Sequence, residues 1–163
     1  MKKKKILIAT SSFAINDKNP INRLKKCGFE LIINPYKRKL SQKELKNFVK
    51  DKSLFGVIAG LETYDENILK NSSIKIISRL GSGISNIDLK VAKKLKIKVL
   101  STPDAPTEAV AELTVGMMIA LLRNIVNSNN DLKKEKWNRS FGGLLKNKKI
   151  LIIGYGKIGK KVH

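Results

Sequence analysis

A single cysteine, Cys27, stands in 163 residues, so no internal disulfide framework can form and thiols are too few for a structural zinc site. A reducing compartment, the cytoplasm, fits that usage. Proline (four residues) and glycine (eleven) are too sparse for collagen-like or low-complexity classes, and a hydrophobic content of 42% predicts a packed core. Long apolar runs are missing as well. The stretch Leu113 to Leu122 is far shorter than a bilayer-spanning helix and is flanked by Glu112 and Arg123. The lysines that begin the chain and Ile6 to Ala9 imitate a signal peptide, but Thr10-Ser11-Ser12 interrupts the run, and a first strand is the better reading. No membrane segment is expected.

Acidic residues are scarce: 13 against 34 basic ones, for a net charge of +21. Arg23, Arg38, Arg79, Arg123 and Arg139 are the only arginines. Nucleic-acid recognition usually recruits arginine for its bidentate fork, and these basic residues are scattered along the chain. A solvated surface is therefore expected, an anionic small substrate stays open, and no specific nucleic-acid partner is expected beyond weak, salt-dependent retention.

What is abundant is alternation between short apolar runs and helical stretches, the pattern of a parallel sheet covered by helices. Strands are predicted at 6–9, 29–33, 55–59, 74–78 and 97–100, with helices at 21–27, 41–49, 66–70 and 89–95. Ser41 and Glu44 have the spacing of a capping box. Five such repeats give an α/β fold, a flavodoxin-like parallel sheet, over residues 1–103. After Thr102-Pro103-Asp104 the pattern changes. One long helix is predicted from Thr107 to about Asn127, its face of Val110, Leu113, Met117, Ala120 and Leu121 open equally to burial within the chain or to a dimer contact. A polar, loop-like stretch around Trp137 follows, then a strand at Ile150 to Ile153 that would begin a Rossmann nucleotide-binding domain, so residues 104–163 read as a linker helix plus its first strand, turn and helix.

Two motifs carry chemistry. Gly154-Tyr155-Gly156-Lys157-Ile158-Gly159 has the Gly-x-Gly-x-x-Gly spacing of a dinucleotide-binding turn: a tight turn at Gly154, close backbone approach at Gly156, close helix packing at Gly159. A plain strand-to-helix turn is the competing reading. The acidic residue expected about twenty positions further on, which would separate NAD from NADP, falls beyond His163. The second motif, Arg79-Leu80-Gly81-Ser82-Gly83-Ile84-Ser85-Asn86-Ile87-Asp88, follows the fourth strand, where backbone N–H groups can receive an anion. A tight crossover turn with Asn86 or Asp88 capping the next helix is the alternative.

In order and spacing, Arg79 to Asp88, Thr102-Pro103, Glu108 to Thr114, Trp137 and Gly154 to Gly159 resemble the D-isomer-specific 2-hydroxyacid dehydrogenase family, its phosphoglycerate dehydrogenase branch in particular. The resemblance implies a substrate domain joined to an NAD-binding domain with the active site between them, and a homodimer through helix 107–127. It places the carboxylate of a small 2-hydroxy or 2-oxo acid on the N–H groups of Ser82 and Gly83, with Ser82 also touching the cofactor and Arg79 near the substrate or purely structural. Gly154, Gly156, Lys157, Ile158 and Gly159 would lie against the cofactor pyrophosphate. The family's catalytic arginine, glutamate and histidine have no counterpart here; His163 is assigned no role. The chain is thus expected to be an incomplete, inactive piece of an oxidoreductase, with a non-catalytic binding or oligomerisation module, or a gene remnant, as the alternative. Ala59-Gly60 stands where some phosphoglycerate enzymes carry a basic residue, which puts phosphate recognition in question. Exposed apolar surface in 110–122 and 150–153 predicts poor solubility or dimerisation.

Overall fold

A computed structural model describes residues 3–163, which divide between Pro103 and Asp104 into two compact units. The first is built on five parallel strands, β1 (Lys5–Ile8), β2 (Glu30–Ile33), β3 (Leu54–Ala59), β4 (Ile76–Arg79) and β5 (Lys98–Ser101), in the order β2-β1-β3-β4-β5. Helices α1 (Asn19–Lys26), α2 (Gln42–Val49), α3 (Glu66–Lys70) and α4 (Leu89–Lys94) connect them. The chain steps outward once, from β1 to β2, and then returns across β1 to β3, β4 and β5. Right-handed crossovers therefore put α1 on one face and α2, α3 and α4 on the other. The packing of α2 on α3 and of α3 on α4 agrees.

Alternation along the strands sends Leu7, Ala9, Val57, Ala59 and Ile77 into one core with Leu45 and Val49 of α2, Ile68 and Leu69 of α3, and Val91 and Ala92 of α4. Helix starts are set by side chains. Ser41 Oγ accepts from Glu44 N–H while the Glu44 carboxylate accepts from Ser41 N–H at 2.8 Å, the expected capping box. Asp65 and Asp88 cap α3 and α4, accepting from Ile68 N–H (2.8 Å) and Val91 N–H (3.0 Å). Gly28, at φ +83°, ends α1, where a left-handed turn favours glycine.

The second unit departs from expectation twice. The predicted helix from Thr107 to about Asn127 is broken: α5 (Thr107–Leu122) and α6 (Ile125–Leu132) are bent by 63° about Asn124, which takes a left-handed φ of +52°. Asparagine tolerates that conformation, and Asn124 Nδ2 donates to Phe141 O at 2.7 Å while Gly143 N–H donates to Leu122 O at 2.8 Å. The polar segment is accordingly helical as far as Leu132. Residues 150–153 form no strand, because no second strand in this unit offers them ladder partners, and Leu151 (84%) and Ile153 (91%) stay exposed. Helix α7 (Lys157–Val162) packs along α5, with ion pairs from Lys157 to Asp104 and from Lys161 to Glu108. Leu113, Met117 and Leu121 lie exposed on α5. No single helix among the described residues is long and apolar enough to cross a membrane.

Candidate functional site

Parallel strands leave their last backbone groups at one edge of the sheet, and the β4–α4 loop rises from it. Leu80 N–H continues the ladder by donating to Ala59 O (2.9 Å), and then Gly81 turns the chain at φ +130°. That left-handed φ is what favours glycine; a Cβ would also displace the Arg79 guanidinium, which folds back and donates from Nη1 to Leu80 O at 2.5 Å. Gly81 and Thr102 clamp each other: Gly81 N–H donates to Thr102 Oγ1 (2.8 Å) and Thr102 N–H to Gly81 O (3.0 Å).

The far end of the loop is pinned to the β3–α3 loop. Asn86 Nδ2 donates to Glu62 O (2.6 Å) and Gly60 O (3.2 Å), Tyr64 N–H donates to Asn86 O (2.8 Å), and Asp88 N–H to Tyr64 O (3.0 Å). Between the two clamps Ser82 and Gly83 are exposed, and among the described residues nothing accepts their N–H groups. A Cβ at Gly83 would meet nothing within 4 Å. Two outward donors are thus held by a frame fixed on both sides, an arrangement that can receive a carboxylate or another small anion. Arg79 Nε is buried without a partner among the described residues, so its guanidinium retains a donor at the loop's base.

Behind this frame lie buried groups that sequence reasoning did not single out. Glu62 is 1% exposed, and its carboxylate accepts from Gly60 N–H at 2.8 Å. Tyr64 is fully buried with its hydroxyl unpartnered; burial, and then the charge of Glu62, push the phenol well above its ordinary range. Their signal in the sequence is only a polar stretch after an apolar strand, which reads as an ordinary loop.

The glycine turn lies in the 104–163 unit. Gly154 has φ +94°, and a Cβ on either Gly154 or Gly156 would find open space. Gly159, by contrast, is buried, and a Cβ there would run into the Gly154 carbonyl oxygen, so the α7 start can close on the turn only with glycine at this position. Gly156 caps α7, leaving the first-turn N–H groups of Lys157 and Ile158 pointing out of the helix start. The Lys157 ammonium is paired with Asp104, and the His163 ring lies edge-on to Tyr155 at 5.7 Å.

A five-stranded parallel sheet in the order 2-1-3-4-5, with a double-clamped loop at its carboxyl edge, defines a doubly wound α/β domain. Residues 7–155 match the model of the D-isomer specific 2-hydroxyacid dehydrogenase catalytic domain, and the chain belongs to that family. It is 38% identical over 125 residues to the D-3-phosphoglycerate dehydrogenase of Methanocaldococcus jannaschii, a match taking in 76% of this chain and 24% of that one. The hydroxypyruvate reductase of Thermotoga maritima is 36% identical over 128 residues, 76% of this chain and 41% of its own. Among solved structures, the NAD+-bound 3-phosphoglycerate dehydrogenase of Entamoeba histolytica aligns with a TM-score of 0.74 at 34% identity, covering 99% of this chain and 49% of that one. The chain therefore spans less than half the length of these relatives.

Proposed function

We propose that this chain provides the carboxylate-holding loop and the phosphate-holding turn of a nicotinamide-dependent oxidoreductase acting on a small D-2-hydroxy or 2-oxo acid, as its phosphoglycerate dehydrogenase relatives are named. The observation that carries the reading is the pair of unaccepted N–H groups at Ser82 and Gly83, held between the Gly81–Thr102 clamp and the Asn86 clamp. In this reading residues 1–103 are the substrate domain and 104–163 begin the cofactor domain.

The substrate carboxylate takes the Ser82 and Gly83 N–H groups, with Arg79 supplying positive charge at the loop base. Gly154, Gly156, Lys157, Ile158 and Gly159 fit a dinucleotide pyrophosphate: the open space at Gly156 and the free N–H groups at the α7 start are what an approaching phosphate needs. NAD, or NADP, would supply a hydride acceptor and donor for C2 of the acid. The Ser82 hydroxyl belongs to both partners in this reading. No acid–base pair from these 163 residues stands in that scheme, so the chain by itself binds without turnover. Ala59-Gly60 contributes no cation at the end of β3, which favours acids lacking a phosphate.

Amide shifts in the isotope-labelled chain test this directly. D-glycerate should move Ser82 and Gly83, and NAD should move Gly156, Lys157 and Ile158; silence at either set overturns that half of the proposal. NAD-dependent turnover by the isolated chain would overturn the claim of inactivity. The exposed Leu113, Met117 and Leu121 on α5 support a homodimer through residues 107–127, to be checked by sedimentation. The free, exposed thiol of Cys27 suits a cytoplasmic setting.

A further inference from the structure

In a doubly wound domain the strand beginnings and the helix ends share one edge, opposite the edge that carries the Ser82–Gly83 loop. Lysines dispersed through the sequence meet there. Lys43, Lys46 and the C-cap Lys50, spaced three and four apart, follow one side of α2 down to that edge, and they line a groove of about 470 Å³ beside α3 with Asn47, Lys52 and Asn71. Lys52 also lines a second groove of about 480 Å³ with Lys3, Lys4, Phe55 and Lys75. The shared residue makes the two grooves one track.

None of these seven lysines is ion-paired among the described residues. The one acidic residue lining the track, Asp51, is engaged: Lys5 Nζ at 2.9 Å, Ser53 Oγ at 2.6 Å and Ser53 N–H at 2.8 Å all donate to its carboxylate. Phe55 lies at the track's side, stacked on Phe29 at 6.0 Å with the Lys4 ammonium 4.5 Å from its ring. The apolar groove residues Val49 and Ile68 are buried, so the track offers no aliphatic side chain for insertion into a bilayer.

We propose that this lysine track binds single-stranded nucleic acid through its phosphates, independently of the Ser82–Gly83 site. A cationic groove lined with asparagine amides follows a flexible phosphate backbone without reading sequence, and Phe55, whose ring is taken by Phe29 and Lys4, leaves the contact to the phosphates. Lysine suits the task because point charges contact phosphates one at a time.

Fluorescence anisotropy with a labelled oligouridylate tests the proposal on the 163-residue chain. If four or five lysines engage phosphates, the slope of log affinity against log salt is about −3. The triple variant Lys46→Gln, Lys50→Gln, Lys52→Gln should bind at least roughly tenfold more weakly near 50 mM salt, with a slope shallower by about 2. A control with the same loss of charge, Lys90→Gln, Lys93→Gln, Lys94→Gln, should lose less than about threefold, because long-range attraction is screened over about 10 Å. Equal losses in the two triples, no binding at low salt, or tighter binding to phosphatidylserine vesicles than to oligouridylate would each overturn it.

Discussion

Replacing Asn86 probes the clamp that holds the β4–α4 loop. Its side-chain amide donates to Glu62 O at 2.6 Å and to Gly60 O at 3.2 Å, joining two loops separated by more than twenty residues. Each neutral hydrogen bond contributes a net ~0.5–1.5 kcal/mol, so Asn86→Ala should cost about 1–3 kcal/mol. For a unit of this size that corresponds to a fall in Tm of roughly 5–14 °C. Asn86→Asp separates hydrogen bonding from size, because it keeps the shape but turns an oxygen acceptor toward two carbonyl oxygens. The expected order of melting temperatures by circular dichroism is therefore wild type, then Ala, then Asp. The same variants should broaden the Ser82 and Gly83 amide signals. An Asn86→Asp protein as stable as wild type would refute the reasoning, since a donor would then be unnecessary.

Leu45→Ala empties a fully buried site and should cost ~2–5 kcal/mol by urea denaturation, whereas Leu113→Ala, on an exposed face, should stay within about 0.5 kcal/mol. The Glu44 carboxyl is held at about 2, below its ordinary 4.5, first by the Arg38 guanidinium and then by the Ser41 N–H. A lowered folded-state value means that this support is present above pH 4.5 and is lost as pH falls toward 2. Glu44→Gln should flatten that part of the acid-unfolding profile; an unchanged profile would show that the box is idle. Gly159→Ala should drive α7 off the Gly154 carbonyl and abolish NAD-induced shifts at Gly156, Lys157 and Ile158 with the first unit's spectrum unchanged.

In residues 1–103 the elements were legible because local signals agreed with the fold: Ser41 and Glu44 marked a helix start, Gly28 a helix end, and Ile6 to Ala9 a buried strand. The break after Leu122 was not legible, since Arg123-Asn124 contains neither glycine nor proline, and only the backbone reveals the left-handed Asn124. Residues 150–153 have strand composition, but a ladder is a property of pairs and composition cannot supply the partner. The glycines of both loops stood out by their places after predicted strands, and those of the Gly154 turn by their spacing as well. Asn86 was visible only as a possible helix cap; Asp88 holds that position, and the tie from Asn86 to Glu62 O spans 24 residues, beyond any local pattern. Lysines dispersed along the sequence gave no hint of a track because strand starts and helix ends meet only once the sheet is wound.

The Asn86 clamp also bears on chemical ageing. Asparagine converts to aspartate or isoaspartate when the following residue's backbone nitrogen attacks the side-chain carbonyl carbon and expels ammonia, and water then opens the succinimide. That nitrogen belongs to Ile87, whose N–H is committed to Ile84 O at 3.1 Å, while Ile87 itself bridges to Tyr64. The folded loop thus withholds the nucleophile and anchors the amide it would attack. A transiently opened loop loses both protections together, and conversion there would leave an aspartate facing the same two carbonyls, so each such opening carries the chance of permanently disabling the clamp.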